Sequence, residues 1–570
     1  MVAIVKGAFE SQAHGDALIA IRRYAVACAR RRSIPDPLPE ESMRLQAGRA
    51  AYIATRLRTP GLLVLNDPVG TGKTIVALAA ATVLMEAPPG SDARVDKVIV
   101  VAPNTSVARL WTERQDMMAI GSDGRRPGGG GRSTRMRIVT MSQLAGASGI
   151  VPRGDRSRVL IIVDEAHRGL HNESSTAYTA LSPIARGARV LLVTATPFQL
   201  KPSGLKTMLE IDGRVEMGER IRVYGQAVAQ WLTAKHQADP WLSESGNAES
   251  QAEISAAAAR MASALAKARP DLELLLMPAF DRAGMGMPEA YELPHPLLVP
   301  LEDSWASAYH AARLLPEVVG LDPHAGGNAG RNSDSYMRML NSSTAAWQDS
   351  AVYMAARESE SKAVTGLLTE ITRLMGPKPL GHPKVRRTAE VALAKASRGA
   401  GRHVLVFCVF KETQSELAAA IEKLARESGF NVRVGSPDQL PKANHWLRAG
   451  FGEPASRSNV PVVLVVRDNL SESIDLDGGR PAVIHHDLSW SPVRWTQRMG
   501  RVVRAATGFK GPNANDIVVP VLDTAIDRRM WASLRERSKL TALALPQNPE
   551  LRDYLESTLP DWDGGRLDGQ

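Results

Sequence analysis

Residues 67–74 read Asp-Pro-Val-Gly-Thr-Gly-Lys-Thr, between an apolar run at 62–65 and a helix-forming stretch at 75–85. That setting is the one a phosphate-cradling loop needs. Gly70 and Gly72 let the backbone curl so that amides around Thr71 aim at phosphate oxygens. The helix start that follows adds partial positive charge. Lys73 can reach the outer phosphates, and Thr74 can offer its hydroxyl to Mg²⁺. The ligands this chemistry calls for are a nucleoside triphosphate and Mg²⁺. Asp67 stands where the strict G-x-x-x-x-G-K-T pattern has its first glycine, which is a departure.

A second group lies downstream. Residues 159–167 read Val-Leu-Ile-Ile-Val-Asp-Glu-Ala-His. Asp164 and Glu165 therefore end a buried strand, the edge at which open parallel sheets bind ligands. Asp164 is placed to hold Mg²⁺, and Glu165 to orient or deprotonate the attacking water. Alone, the pair could be a strand end meeting solvent; after a phosphate loop it points to hydrolysis. Far along the chain, residues 497–504 read Gln-Arg-Met-Gly-Arg-Val-Val-Arg. Arg501 and Arg504 are one helical turn apart and project from one face, and Arg498 is separate from that pair. Guanidinium groups aimed at a γ-phosphate stabilise its developing charge. In isolation a basic helix face is a solvated surface, so this motif takes its meaning from the other two.

The elements that must position these groups are legible as continuous apolar runs. Five stand at 62–65, 98–102, 136–140, 159–164 and 190–194, with helical stretches between them. Runs without alternation suit strands buried on both faces of a parallel sheet. Further runs at 403–407, 461–466, 482–487 and 516–522 repeat the pattern, with a helix over 412–427 among them. The expected fold class is α/β: two doubly wound parallel-sheet domains in tandem with a mostly helical insertion between them. The expected boundaries are a helical segment at 1–43, the ATP-binding domain at 44–211, the insertion at 212–383, the second domain at 384–545 and a polar tail at 546–570. Within the insertion, 249–268 reads as a helix and 322–334 as a loop. The loop at 121–135 carries four consecutive glycines and four arginines. It reads as a solvated connector or a phosphate contact.

The chain's 570 residues, 44% of them hydrophobic, supply several cores, and its net charge of +10 favours a polyanionic partner. Two distant cysteines, Cys28 and Cys408, build no zinc site and suit a reducing, cytoplasmic setting. No run is long enough to span a bilayer, so no membrane is expected as a partner. Residues 17–32 read as a packed helix with a basic face, which could also touch nucleic acid or a membrane surface.

Taken together, the motifs resemble those of superfamily 2 helicases and translocases. Residues 70–74 look like motif I, 164–167 (Asp-Glu-Ala-His) like motif II and 194–196 like motif III. Residues 100–111 resemble motif Ia, and 140–144 fall where a further DNA-contacting motif is expected. Residues 404–421, 470–479 and 487–504 resemble motifs IV, V and VI. Three features bring the Swi/Snf-like group closest, with its bacterial RNA-polymerase-recycling and phage-defence relatives. They are Asp67, the Asp-Leu-x-Trp-x-Pro segment at 487–492, and a closing helix at 524–537. The resemblance covers about 44–537. Ser473 departs from the usual motif V glycine, and Gln46 matches the adenine-contacting glutamine loosely.

That resemblance implies that both α/β domains are RecA-like, in a nucleic-acid-stimulated ATPase that closes the two domains on ATP with Mg²⁺ and ratchets along double-stranded DNA, with RNA left open. It makes Asn104, Thr105, Ser142 and Ser471 candidates for the grip on nucleic acid. Trp490 and Trp495 are expected in the core, with base stacking as the other reading. Two further readings stand beside the motor: a subunit that moves DNA for a partner nuclease in phage defence or restriction, and a non-catalytic nucleic-acid-binding scaffold.

Overall fold

A computed structural model describes residues 2–32, 39–68, 70–119, 135–146, 155–170, 172–195, 202–237, 248–278, 280, 293–319, 336–397, 403–435, 460–468, 481–489, 492–502 and 516–543. The loop at 121–134, the loop at 322–334 and the tail after 546 lie outside them. The chain divides into two compact units, one built mainly on residues up to 289 and the other mainly on residues 290–535.

The first unit holds β1 (Gly61–Leu65), β2 (Lys97–Ala102), β3 (Met136–Thr140), β4 (Val159–Asp164) and β5 (Arg189–Val193). All pair in parallel, in the order β1-β5-β4-β2-β3. The pleat explains why their sequences are apolar throughout. Leu63, Leu65, Val98, Val100, Leu160 and Ile162 enter one core, while Leu62, Val64, Ile99, Val101, Ile161 and Val163 enter the opposite one. The first core is closed by α1 (Val2–Arg32), α2 (Glu40–Arg56), α3 (Lys73–Glu86) and α4 (Thr105–Ala119). Helix α1 is thus a packed element, burying Ala13, Ala17, Ala20, Ile21 and Ala25. The buried Arg189 on β5 donates to the Leu57 and Arg58 carbonyls (both 2.7 Å), closing the C-terminal end of α2.

The stretch 212–383 is divided between the units. Helices Val215–Gln237 and Ala248–Leu275 cover the second face of the first sheet, and the Met277 amide donates to the Val64 carbonyl at 3.0 Å. The rest of that stretch, from 297, belongs to the second unit. There, helices Asp303–Val318, Ala351–Arg357 and Lys362–Met375 pack around Trp305 and Trp347.

In the second unit β6 (Leu297–Val299) precedes β7 (Val404–Cys408), β8 (Arg433–Gly435), β9 (Val462–Arg467), β10 (Ala482–His485), β11 (Ile517–Val518) and β12 (Pro520–Leu522). Its main sheet runs β11-β10-β7-β9-β8, all parallel. The single run at 516–522 serves two sheets, since β12 leaves β11 to pair with β6. Buried polar side chains tie the helices to this core. Lys384 Nζ pairs with Asp527 Oδ2 at 2.9 Å, and Asn341 Nδ2 donates to Asp527 Oδ1 at 2.8 Å. Among the described residues, no helix is long and apolar enough to cross a membrane.

Candidate nucleotide-binding and hydrolysis site

The phosphate loop leaves β1 and enters α3 at Gly72, the N-cap residue. Gly70 and Gly72 have φ of 88° and 86°, a left-handed backbone that side chains disfavour. A Cβ on Gly72 would also run into the Gln46 amide. Gln46 is buried on α2 and donates from Nε2 to the Thr71 carbonyl at 2.9 Å. One turn later on the same helix, Arg49 grips Asp67 through two hydrogen bonds. Burial pushes the Asp67 carboxyl above its usual range, and Arg49 opposes that shift. The Asp67 that replaces the expected glycine is therefore an anchor between loop and helix. Lys73 Nζ donates to the Asp67 and Pro68 carbonyls at 3.0 and 2.9 Å. Thr74 is half-buried in the first turn of α3.

Three strand ends converge beside this loop. Leu65 of β1 and Asp164 of β4 both pair with Val193 of β5. The next residue, Thr194, donates its amide to the Leu65 carbonyl at 3.1 Å. Its hydroxyl lies 3.0 Å from His167 Nδ1, which in turn lies 3.4 Å from Glu165 Oε2. The imidazole thus bridges the acidic motif and the strand between the motifs. Glu165 has φ 47° and is the one described non-glycine residue with positive φ. Such a conformation costs about 1–3 kcal/mol and clusters at functional sites. Asp164 accepts from Trp111 Nε1 at 2.7 Å and from the Glu165 amide at 3.0 Å. Burial, and then the Glu165 charge, raise its pKa to about 6, while Trp111 and the nearby Lys73 pull it down.

These residues fit a Mg²⁺-nucleotide. The glycine cradle has no room for a side chain, and Gln46 Oε1 is a buried acceptor with no donor in the protein. Among the described residues no cluster of three or more His, Cys, Asp or Glu is set for a metal. Mg²⁺ needs none, because it keeps waters and substrate phosphates beside one or two protein oxygens.

Of the other residues expected in the site, Asn104 accepts the Val107 amide at 2.9 Å and caps α4. Thr105 is exposed in the first turn of α4. Ser142 is exposed and shares a 3.0 Å hydrogen bond with Thr140. Arg501 lies on helix Pro492–Val502. Ser471, Arg504 and Trp490 lie outside the described residues. Trp495 is buried and stacks on His485 with centroids 3.9 Å apart. Arg498 is buried too, donating to Asp468 Oδ1 at 2.6 Å and to the Asp487 carbonyl at 2.8 Å. Sequence reasoning missed Arg49 and Trp111 and gave His167 no role. Only Arg49 left a signal, three residues after Gln46 on one helix.

Residues 50–199 match the family model "Type III restriction enzyme, res subunit", and residues 384–506 match "Helicase conserved C-terminal domain". Together the two matches support a superfamily 2 helicase or translocase. The chain is 25% identical, over 232 residues, to DNA repair and recombination protein RAD54 of Saccharomyces cerevisiae. The match spans 35% of this chain and only 25% of the relative's length. Among solved structures it is similar to the Pyrococcus furiosus Hef helicase domain (18% identity, TM-score 0.41, 85% of this chain and 97% of that one). It is also similar to a point variant of S. cerevisiae Dbp5 bound to RNA and ADP BeF3 (12% identity, TM-score 0.38, 92% of this chain and 98% of that one). The two parallel sheets, each overlapping one of these family matches, are consistent with the expected RecA-like domains, and helicase-type domains imply nucleotide binding and ATP-dependent helicase or ATPase activity.

Proposed function

We propose that this chain is a motor that tracks along double-stranded DNA, with an ATPase that the DNA stimulates. The observation that carries the reading is the convergence of the phosphate loop, the acidic pair and Thr194 on three adjacent strand ends. Gly70, Thr71, Gly72 and Lys73 receive the phosphates, and Gln46 Oε1 accepts a hydrogen bond from the adenine amino group. Thr74 and Asp164 would hold Mg²⁺. Bound there, the ion would neutralise charge on the transferred phosphoryl group. Glu165, steadied by His167, takes the proton of the attacking water. Arg501 and Arg504 stabilise the γ-phosphate charge when the two domains close. Asn104, Thr105, Ser142 and Ser471 grip the nucleic-acid backbone, so that closing and reopening ratchet it. The motor domains are 44–211 and 384–545, each working with the helices packed on it. The likeness to a DNA repair protein supports DNA over RNA. Two free cysteines suit a cytoplasmic setting.

A triplex-displacement assay tests the tracking step. ATP should drive release of a labelled third strand from a duplex, and Arg501→Ala or Arg504→Ala should stop it. Steady ATP turnover on that duplex without release would remove tracking. A second reading is favoured by the match to a restriction-enzyme subunit. In it the chain moves DNA for a partner nuclease, and affinity capture with the products of neighbouring genes should then recover one.

A further inference from the structure

Trp111 is fully buried on α4, and none of the roles above includes it. Its indole meets the Asp164 carboxylate at Oδ2, 2.7 Å away. The other oxygen, Oδ1, accepts the Glu165 amide at 3.0 Å. Two donors on different oxygens fix both the plane and the rotation of the carboxylate. Each oxygen is left with a lone pair to offer elsewhere. An indole can donate but not accept, so this contact cannot invert. Neighbours that orient a ligand in this way typically tune metal affinity by about 10- to 100-fold. Helix α4 is itself held at its start by the Asn104 cap, so the indole is fixed in turn.

We propose that Trp111 is a positioning residue for the metal: it presets the Asp164 carboxylate, so that nucleotide with Mg²⁺ binds much more tightly than nucleotide alone. The inference rests on the reading that Asp164 serves Mg²⁺. The test is the Kd of a fluorescent, non-hydrolysable ATP analogue, with Mg²⁺ and with EDTA, for the wild type, Trp111→Phe and Asp164→Asn. Trp111→Phe keeps an aromatic ring and removes the donor. It should lose about 10- to 100-fold of affinity with Mg²⁺ and keep its affinity in EDTA. Asp164→Asn should lose the Mg²⁺ enhancement as well. If Trp111→Phe keeps the full enhancement while Asp164→Asn loses it, the inference falls and the reading of Asp164 stands. If both keep it, the reading of Asp164 falls and takes the inference with it. An equal loss with Mg²⁺ and with EDTA would make Trp111 merely structural and overturn the proposal. Because the smaller ring could unfold the chain, a second measurement uses intact tryptophans labelled with ¹⁵N in the indole. One indole resonance should move in Asp164→Asn and also when Mg²⁺ and the analogue are added to the wild type. A spectrum unchanged in both would equally overturn the proposal.

Discussion

Glu165 stands in a strained left-handed conformation beside a histidine that also reaches Thr194. A carboxylate held in this way suits proton transfer from water, a contribution of about 10²- to 10⁴-fold. Glu165→Gln should therefore lower kcat for ATP by at least about 100-fold, with the Kd for nucleotide nearly unchanged; parallel kinetics and binding titrations check both numbers. Arg49 belongs to the same scale. Asp67 is buried, and without its guanidinium partner it must either stay charged and unpaired or take up a proton. Breaking a buried pair from one side costs about 3–5 kcal/mol. Arg49→Ala should lower Tm and weaken nucleotide binding together, because Asp67 anchors the start of the loop.

The central strands were legible in the sequence because both their faces are buried, so that every residue from Val159 to Val163 had to be apolar. The short edge strand Arg433–Gly435 and the strand Leu297–Val299 carry no such signal. The run at 516–522 looked continuous because a change of pairing partner leaves no mark on composition. Stretch 212–383 read as one insertion because helix-forming residues alone do not say which sheet they will cover. The glycines, Lys73, Asp164 and Glu165 were legible as candidates because residue type and spacing mark them in the sequence. Trp111 and His167 were not, because their roles depend on partners 53 and 27 residues away. The buried ties of the second unit make predictions at this scale. Lys384→Met leaves Asp527 charged at the junction of two helices and should destabilise the second unit by about 3–5 kcal/mol in denaturant melts. Helix Lys411–Glu427 buries Glu416, and burial raises its carboxyl from 4.5 to about 7. The folded chain therefore holds a proton that the unfolded chain releases at lower pH. That contribution to stability is present at low pH and is lost as the pH rises through about 7. Glu416→Gln should raise Tm at about pH 8 and flatten the Tm profile between about pH 5 and pH 8, as thermal melts across that range would record.

For the whole molecule, the net charge of +10 and the tandem RecA-like domains meet in one claim: nucleic acid is the track and ATP drives movement along it. Binding through phosphates releases counterions, so the duplex concentration needed for half-maximal stimulation should rise steeply with salt. The most direct test is steady-state ATP hydrolysis by the full chain, alone and with duplex DNA, single-stranded DNA or RNA, with Lys73→Ala as the blank. The account predicts strong stimulation by duplex DNA that vanishes in the Lys73→Ala protein. Hydrolysis that is indifferent to every nucleic acid, or unchanged in Lys73→Ala, would contradict it.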